Sequence, residues 1–358
     1  MEAKSTTNLG ERILAARKLA GLSQRQLAAA LGVSAMAISK YEREVVTPNS
    51  EALLRIGEKT GQRIGFFFRR TAIKLPEYLE ARCVLRRKRD VVALTSRVQD
   101  WLERYFDLEE LVGAEQTSAV IRTCVRARGA PAAEAAADEL RRAWRLGDEP
   151  IKDVVALLES RGVKVGAFDL PLAADAVALS AGKGRPVVVF KRDCDRDHRR
   201  LAVCRALAHL VLSPPRGGAR GEAAARRFAR AFLVPASQAK RELGERRTRI
   251  EVRELEFLAS KYGLGVEEWV RRAKELSIIG EAVSAKLNRA LSARELCLRD
   301  AGPPPPRETP TRFEQLLARG LSEGLFSESR AADLAGKSVE QFWLDRIGSD
   351  GHDAVVDH

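Results

Sequence analysis

The segment Arg200–Leu212 reads Arg-Leu-Ala-Val-Cys-Arg-Ala-Leu-Ala-His-Leu-Val-Leu. Hydrolytic zinc chemistry on one helix asks for the pattern His-Glu-x-x-His. Two imidazoles a helical turn apart hold the metal, and the Glu takes a proton from the metal-bound water. In this chain the first imidazole position is Arg205, the carboxylate position is Ala206, and His209 alone remains. Arg stays protonated and offers a metal no lone pair, and a methyl group accepts no proton. The segment predicts the outline of a hydrolase helix without its chemistry.

Cys194, His198, Cys204 and His209 are also zinc-type ligands lying close together in the chain. At 3.6 residues per turn, however, Cys204 and His209 point about 140° apart on one helix. The spacing fits no closed zinc module. The expected arrangement is one half-buried Cys, an exposed His198 and a lone His209, with no metal and no cofactor. His352 and His358 fall in an acidic tail and are expected to be solvated.

A second constellation lies near the start. Gln24 to Tyr41 reads QRQLAAALGVSAMAISKY. Leu27, Leu31, Val33 and Ile38 supply apolar contacts that lock two helices at a fixed angle. Ala28 is small where the second helix crosses, and Gly32 sits at the turn, where a left-handed backbone is needed. Ser34 caps the second helix through its hydroxyl. That helix, Ser34 to Arg43, is predicted to lie in the major groove of DNA. Its outward positions are Ala35, Met36, Ser39 and Lys40. Ala35 and Met36 suit thymine methyls, and Lys40 suits a guanine edge or a phosphate. Gln24, Arg25 and Arg43 are placed for the phosphate backbone, which positions the motif without reading sequence.

The 358 residues suffice for two or three domains with separate cores, and the 45% apolar and 31% charged composition is that of a globular chain. The net charge of +13 points either to a polyanionic partner or to an Arg- and Ala-rich background. Residues 1–70 carry 12 Lys or Arg against 6 Asp or Glu, which favours a nucleic-acid footprint there. Cysteines 83, 124, 194, 204 and 297 are scattered and odd in number, as expected for free thiols in a reducing cytoplasm. The first residues lack the apolar core of a signal peptide, and no apolar run is long enough to span a membrane.

Periodicity divides the remainder. Residues 75–112 form a long helical stretch with Leu94, Val98, Trp101, Leu102, Tyr105, Leu108 and Leu111 on one face. That face serves either as a dimer surface or as part of the chain's own core. An Ala-rich helix covers 130–145, and Asp148-Glu149-Pro150 opens another, with Pro in its first turn. Three short strands are predicted at 163–168, 176–180 and 186–190, followed by helices at 197–212 and 222–233 and two more within 250–275. Residues 301–310, with four consecutive Pro, read as a stiff linker, and 311–345 as a final helical pair. No repeat of fixed period is visible.

The Gln24–Tyr41 pattern, extended over residues 9–68 through Pro48, resembles the XRE family of helix-turn-helix regulators. From about Leu140 the chain resembles the ImmA/IrrE family of metallopeptidase domains. "LRRAWRLGDEPIKDVVALLESRGVKV" matches its opening helices and first strand, "PVVVF" its central strand, and "RRLAVCRALAHLVL" its metal helix. Glu222-Ala-Ala-Ala-Arg-Arg-Phe228-Ala229 with Phe232-Leu-Val-Pro235 resembles its Glu-x-x-Ala-x-x-Phe-Ala…Leu-x-Pro segment. The resemblance implies a former metal site at Arg205, His209 and Glu222. Two outcomes are open there: the Arg205 guanidinium stands where zinc stood and pairs with Glu222 near His209, or Arg205 reaches solvent and Glu222 lies on the surface. "ELEFLASKYGLGVEEW" (254–269) resembles the helices that follow that family's core, and 312–342 its C-terminal pair. Leu325, Ala331, Leu334, Ala335 and Gly336 mimic a second helix-turn-helix. Arg330 is its only obvious basic reader, so protein contact is favoured there over DNA.

The expected fold is α+β, mostly α. It comprises a five-helix helix-turn-helix domain (1–70), a helical linker that serves either dimerisation or the chain's own core (71–130) and a pseudo-peptidase domain with a small sheet (131–245). A helical extension (246–300), the Pro-rich linker (301–310), the helical pair (311–345) and a disordered tail (346–358) follow. The resemblances imply a cytoplasmic transcription regulator, a repressor, acting on double-stranded DNA as a homodimer. Its inert cleft would take a peptide, small molecule or protein. The alternatives are an active zinc metalloprotease that cleaves a repressor, and an antitoxin-like autoregulator that binds a toxin.

Overall fold

The computed structural model describes residues 9–68, 88–115, 130–170, 175–181, 184–212, 219–295 and 308–350. These are mostly helical, with one small sheet. They divide into two compact units, the first made of Met1–Glu77, Arg87–Gln116 and Arg312–His358, the second of Tyr78–Arg86 and Thr117–Thr311. This departs from the linear order of domains expected from sequence. The C-terminal helices join the N-terminal module rather than extending the central one.

In the first unit, α1 (Leu9–Leu19), α2 (Gln24–Leu31), α3 (Ala35–Glu42), α4 (Ser50–Thr60) and α5 (Ile64–Phe67) form the five-helix module. Side-chain caps start the middle three. Ser23 and Gln26 make a reciprocal capping box, Ser34 accepts from Ala37 N at 3.1 Å, and Asn49 accepts from Ala52 N at 2.8 Å. Ile13, Ala16, Leu27, Ala28, Leu31, Ile38, Leu53, Ile56, Phe66 and Phe67 close its core. Val33 is not among them: it is 39% exposed, because the left-handed turn at Gly32 (φ 70°) carries it to the surface.

Helix α6 (Lys88–Val112) buries Leu94, Val98, Leu102, Tyr105, Leu108 and Val112 along one stripe. Leu111 lies off it and is exposed; the stripe ends on Val112 instead. The stripe is covered within the chain. Tyr105, Leu108 and Val112 share a core with Leu316, Leu317, Ala331, Leu334 and Phe342 of α15 (Arg312–Ser322), α16 (Glu328–Ala335) and α17 (Val339–Asp350). Arg12 of α1 pairs with Glu103, both buried, and Arg104 Nη1 donates to Leu334 O at 3.0 Å. The C-terminal segment is thus three helices rather than two, and helix continues to Asp350, into the region expected to be a disordered tail. The part of the long helix expected before Lys88, and residues 351–358 with His352 and His358, lie outside the described residues.

In the second unit, α7 (Ala130–Ala143) precedes α8 (Val154–Ser160). Pro150 does not open α8. The buried Arg200 takes the carbonyls of Ile151 (2.6 Å) and Lys152 (3.3 Å), holding that segment out of a helix until Asp153 caps Ala156 N. Strands β1 (Lys164–Phe168), β2 (Ala176–Ala181) and β3 (Arg185–Lys191) follow in order β1-β3-β2. β1 is parallel to β3 (Val165 opposite Val188), and β2 is antiparallel to it (Val177 opposite Val189). The apolar run Val187–Phe190 is buried, as a central strand requires. Helices α9 (Arg196–Val211) and α10 (Ala219–Leu233) continue one core with α11 (Ala236–Leu243), α12 (Val252–Tyr262), α13 (Val266–Glu275) and α14 (Glu281–Glu295). No boundary falls near residue 245. The second unit ends at Thr311, and residues 308–310 are not free linker: Glu308 is 5% exposed. It pairs with Arg200, accepts from Val154 N at 3.2 Å, and its carbonyl accepts from Arg199 Nη1 at 2.7 Å.

Candidate DNA-reading site and the Arg205–His209–Glu222 cluster

Helix α3 owes its placement to both ends. At the front, Ser34 closes the first turn. At the back, Glu42 accepts from Arg17 Nη2 (3.1 Å) and from Gln24 Nε2 (2.7 Å), tying α1, α2 and α3 together. Gln24 is half-buried in this brace, so its amide supports α3 rather than reaching outward. Glu44, at φ 59°, accepts from Gly10 N at 2.8 Å. A Cβ on Gly10 would lie 2.7 Å from the Glu42 carbonyl, so only glycine lets α1 start this close to the end of α3. Gly10, Arg17, Glu42 and Glu44 were not singled out from sequence. The signal that carries them, opposite charges on separate helices, has no fixed spacing.

What α3 presents is narrower than spacing suggested. Met36 is 61% exposed, and Lys40 and Arg43 are exposed. Ala35 is half-buried against the module's core, and Ser39 is half-buried. Arg43 Nε donates to Ser39 O at 3.2 Å, which holds its guanidinium along the helix end. Arg25, on the first turn of α2, is exposed beside the Ser23 cap. The free N–H groups of that turn and three cations flank one thioether, a surface suited to phosphates with a base edge between them.

The family model described as Helix-turn-helix matches residues 13–67, the same five-helix module. Residues 13–67 are a DNA-binding helix-turn-helix of the XRE type. Such a module is the DNA-reading part of a transcription regulator. No curated protein matches the chain significantly. Among the described residues, no helix is long and apolar enough to cross a membrane.

In the second unit, α9 and α10 pack together and bring Arg205, His209 and Glu222 to one place. Arg205 Nη2 lies 2.8 Å from Glu222 Oε1, and His209 Nε2 lies 3.6 Å from Oε2. Arg226 Nε donates to Oε1 at 3.2 Å, and Asp175 stands 3.9 Å from Arg205 Nη1. Of the two outcomes left open by sequence, the ion pair is the one present. Burial by itself would raise the Glu222 carboxyl. The adjoining His209 imidazole, the Arg205 charge and the Arg226 hydrogen bond overcome that and hold its pKa at about 2. Ala206 is buried among apolar side chains.

The remaining Cys and His do not converge. Cys204 is fully buried, and burial pushes its thiol up to about 12, which leaves it unreactive. Cys194 is half-buried with Sγ donating to Lys191 O at 3.1 Å, and His198 is exposed, 3.7 Å from Asp195. Among the described residues no three His, Cys, Asp or Glu cluster as a metal would need. A groove of about 380 Å³ in this unit is lined by Leu146, Pro150, Ile151, Asp153 and Leu157 among others, and Arg205, His209 and Glu222 are not in its lining.

Proposed function

We propose that this protein is a cytoplasmic, sequence-specific transcription regulator, a repressor, that binds a two-fold-symmetric operator as a homodimer. The observation that carries the reading is α3 itself: a capped, braced helix presenting Met36, Lys40 and Arg43 beside the first turn of α2. One such module spans a half-site, so a palindromic operator requires two. The second unit is then a metallopeptidase-like fold used for sensing or partner binding. Its former catalytic position holds an internal ion pair, with an Arg in place of a ligand and a buried methyl in place of the base.

Sequencing of DNA fragments retained by the purified full chain supplies the operator. On it, Lys40→Ala and Arg43→Ala each weaken binding. Where a phosphate contact is lost, the slope of log affinity against log salt becomes shallower by about 0.9. Unchanged affinity and slope in both variants remove the groove assignment. Stoichiometric zinc in the purified protein, with chelator-sensitive peptide cleavage, replaces the reading of the second unit with that of a protease.

A further inference from the structure

The last three helices rebuild the first three. In the front module Ser23 caps an eight-residue helix, Gly32 ends it at φ 70°, and Ser34 caps the reading helix. In the C-terminal module Ser327 caps an eight-residue helix, and Gly336 ends it at φ 71°. Ser338 then accepts from Gln341 N at 2.9 Å, as Ser34 accepts from Ala37 N. The hydrogen bonds past the two glycines also correspond: Val33 N donates to Ala28 O at 3.0 Å, and Lys337 N to Ala332 O at 3.0 Å. Ala331, Ala332 and Phe342 are buried where Leu27, Ala28 and Ile38 are buried. Helix α17 therefore occupies the place of a reading helix.

Its surface is wrong for DNA. In register, Ala35, Met36, Ser39 and Lys40 become Val339, Glu340, Trp343 and Leu344. Gln24 and Arg25 become Glu328 and Ser329, which replaces the exposed cation of the front module with a neutral hydroxyl and sets a carboxylate beside it. Val339 (36%), Trp343 (38%) and Leu344 (58%) are exposed. An acidic and apolar face of this kind is repelled by a polyanion and favours burial against protein.

We propose that α17 is the surface through which two copies of this chain associate. The inference rests on the dimeric reading above and names its interface. Three observations select a second copy as the occupant. First, the long apolar stripe of α6 is covered by α15, α16 and α17 of the same chain, so it is not on offer. Second, one pair of charges on α17 complements itself. Glu340 and Arg346 are equally spaced on either side of Trp343, on the same helical stripe. Two α17 helices packed antiparallel about a two-fold axis at Trp343 set each Glu340 opposite the other's Arg346, as a two-fold interface demands. The Arg346 guanidinium already lies 5.9 Å from the Trp343 ring centre, within that stripe. Third, α17 belongs to the same compact unit as α3, so association through it carries two reading helices as a pair.

Helix α17 is 12 residues long. A pair of such helices buries less than the roughly 1,200–2,000 Å² of a stable interface, so the dimer is weak in free solution and is completed by the two half-sites of DNA.

Sedimentation equilibrium of the full chain over a concentration series, repeated with half-site and full-site DNA, tests the proposal. The wild type is expected to pass from monomer to dimer with concentration, and to bind the full site cooperatively. Leu344→Glu, at an exposed position, raises the dimer dissociation constant at least about tenfold and abolishes cooperativity. Its binding to a single half-site is unchanged, which shows that it folds. Glu340→Arg and Arg346→Glu each weaken the dimer by setting like charges face to face, and the double variant Glu340→Arg with Arg346→Glu restores it. A dimer indifferent to all of these variants, or a chain that binds the full site as a lone monomer, overturns the proposal. Loss of half-site binding in the wild type overturns the DNA reading instead and leaves the α17 dimer standing.

Discussion

Arg205 shows how a side chain on one helix sets the electrostatics of a carboxylate on another. The fold brings a carboxylate from α10 to a half-buried position beside α9, where it needs positive charge. Arg205 supplies it 2.8 Å away. Because the folded pKa of Glu222 is about 2 against an ordinary value of 4.5, its contacts with His209, Arg205 and Arg226 together stabilise the fold above about pH 4.5. That contribution declines as pH falls toward 2 and the carboxylate is protonated. In Arg205→Ala the Glu222 carboxyl is expected to titrate at higher pH, which carboxyl-resolved NMR will follow. Partial exposure screens the pair, so the loss at neutral pH is about 1 kcal/mol by urea unfolding, below the value for a fully buried pair. A Glu222 titration that ignores the substitution would show that the two groups do not interact in solution. The identities at this site were legible in the chain; their partnership was not, because Arg205 and Glu222 sit on different helices.

At the scale of elements, local rules performed well where neighbours along the chain decide. Ser34, Gly32 and the alternation of Leu27, Leu31 and Ile38 fix α2, the turn and α3 through bonds spanning a few residues. They erred where a distant group intervenes. Pro150 satisfies every local rule for opening a helix, yet Arg200 claims the carbonyls that follow it. Gln24 looked like a phosphate contact, yet Glu42 claims its amide. The brace itself yields a prediction. Glu42→Ala frees Arg17 and Gln24 and loosens α3 from α1 and α2, costing about 1–3 kcal/mol as three charge-assisted bonds are lost. Thermal unfolding reads that cost. The same variant adds a net positive charge, so electrostatics alone would tighten DNA binding; weaker operator binding shows that positioning of α3 outweighs charge, and tighter binding would show the reverse.

At the scale of the molecule, each compact unit depends on a contact made late in the chain. In the second unit, Glu308 follows the Pro-rich run and enters a site lined by Arg199, Arg200 and the start of α8. Burial holds its carboxyl above the usual range despite Arg200. Glu308→Ala leaves the buried Arg200 without its counter-charge and is expected to cost about 3–5 kcal/mol, read as a lower midpoint in urea. A cost under 1 kcal/mol would mean that Arg200 reaches water instead. In the first unit, residues from both ends of the chain surround α6. By itself the sequence determined the front module, and it identified Arg205 and Ala206 at the positions where a zinc-hydrolase helix carries His and Glu, since both follow from residue type and short spacing. The second helix-turn-helix pattern at Ala331–Gly336 was also visible in the sequence. Only the tertiary structure decided that Arg205 meets Glu222, that Glu308 is buried, and that the last helices pack with the first around α6. Those outcomes depend on which helix faces meet across long stretches of chain, and no periodicity along the chain encodes that choice.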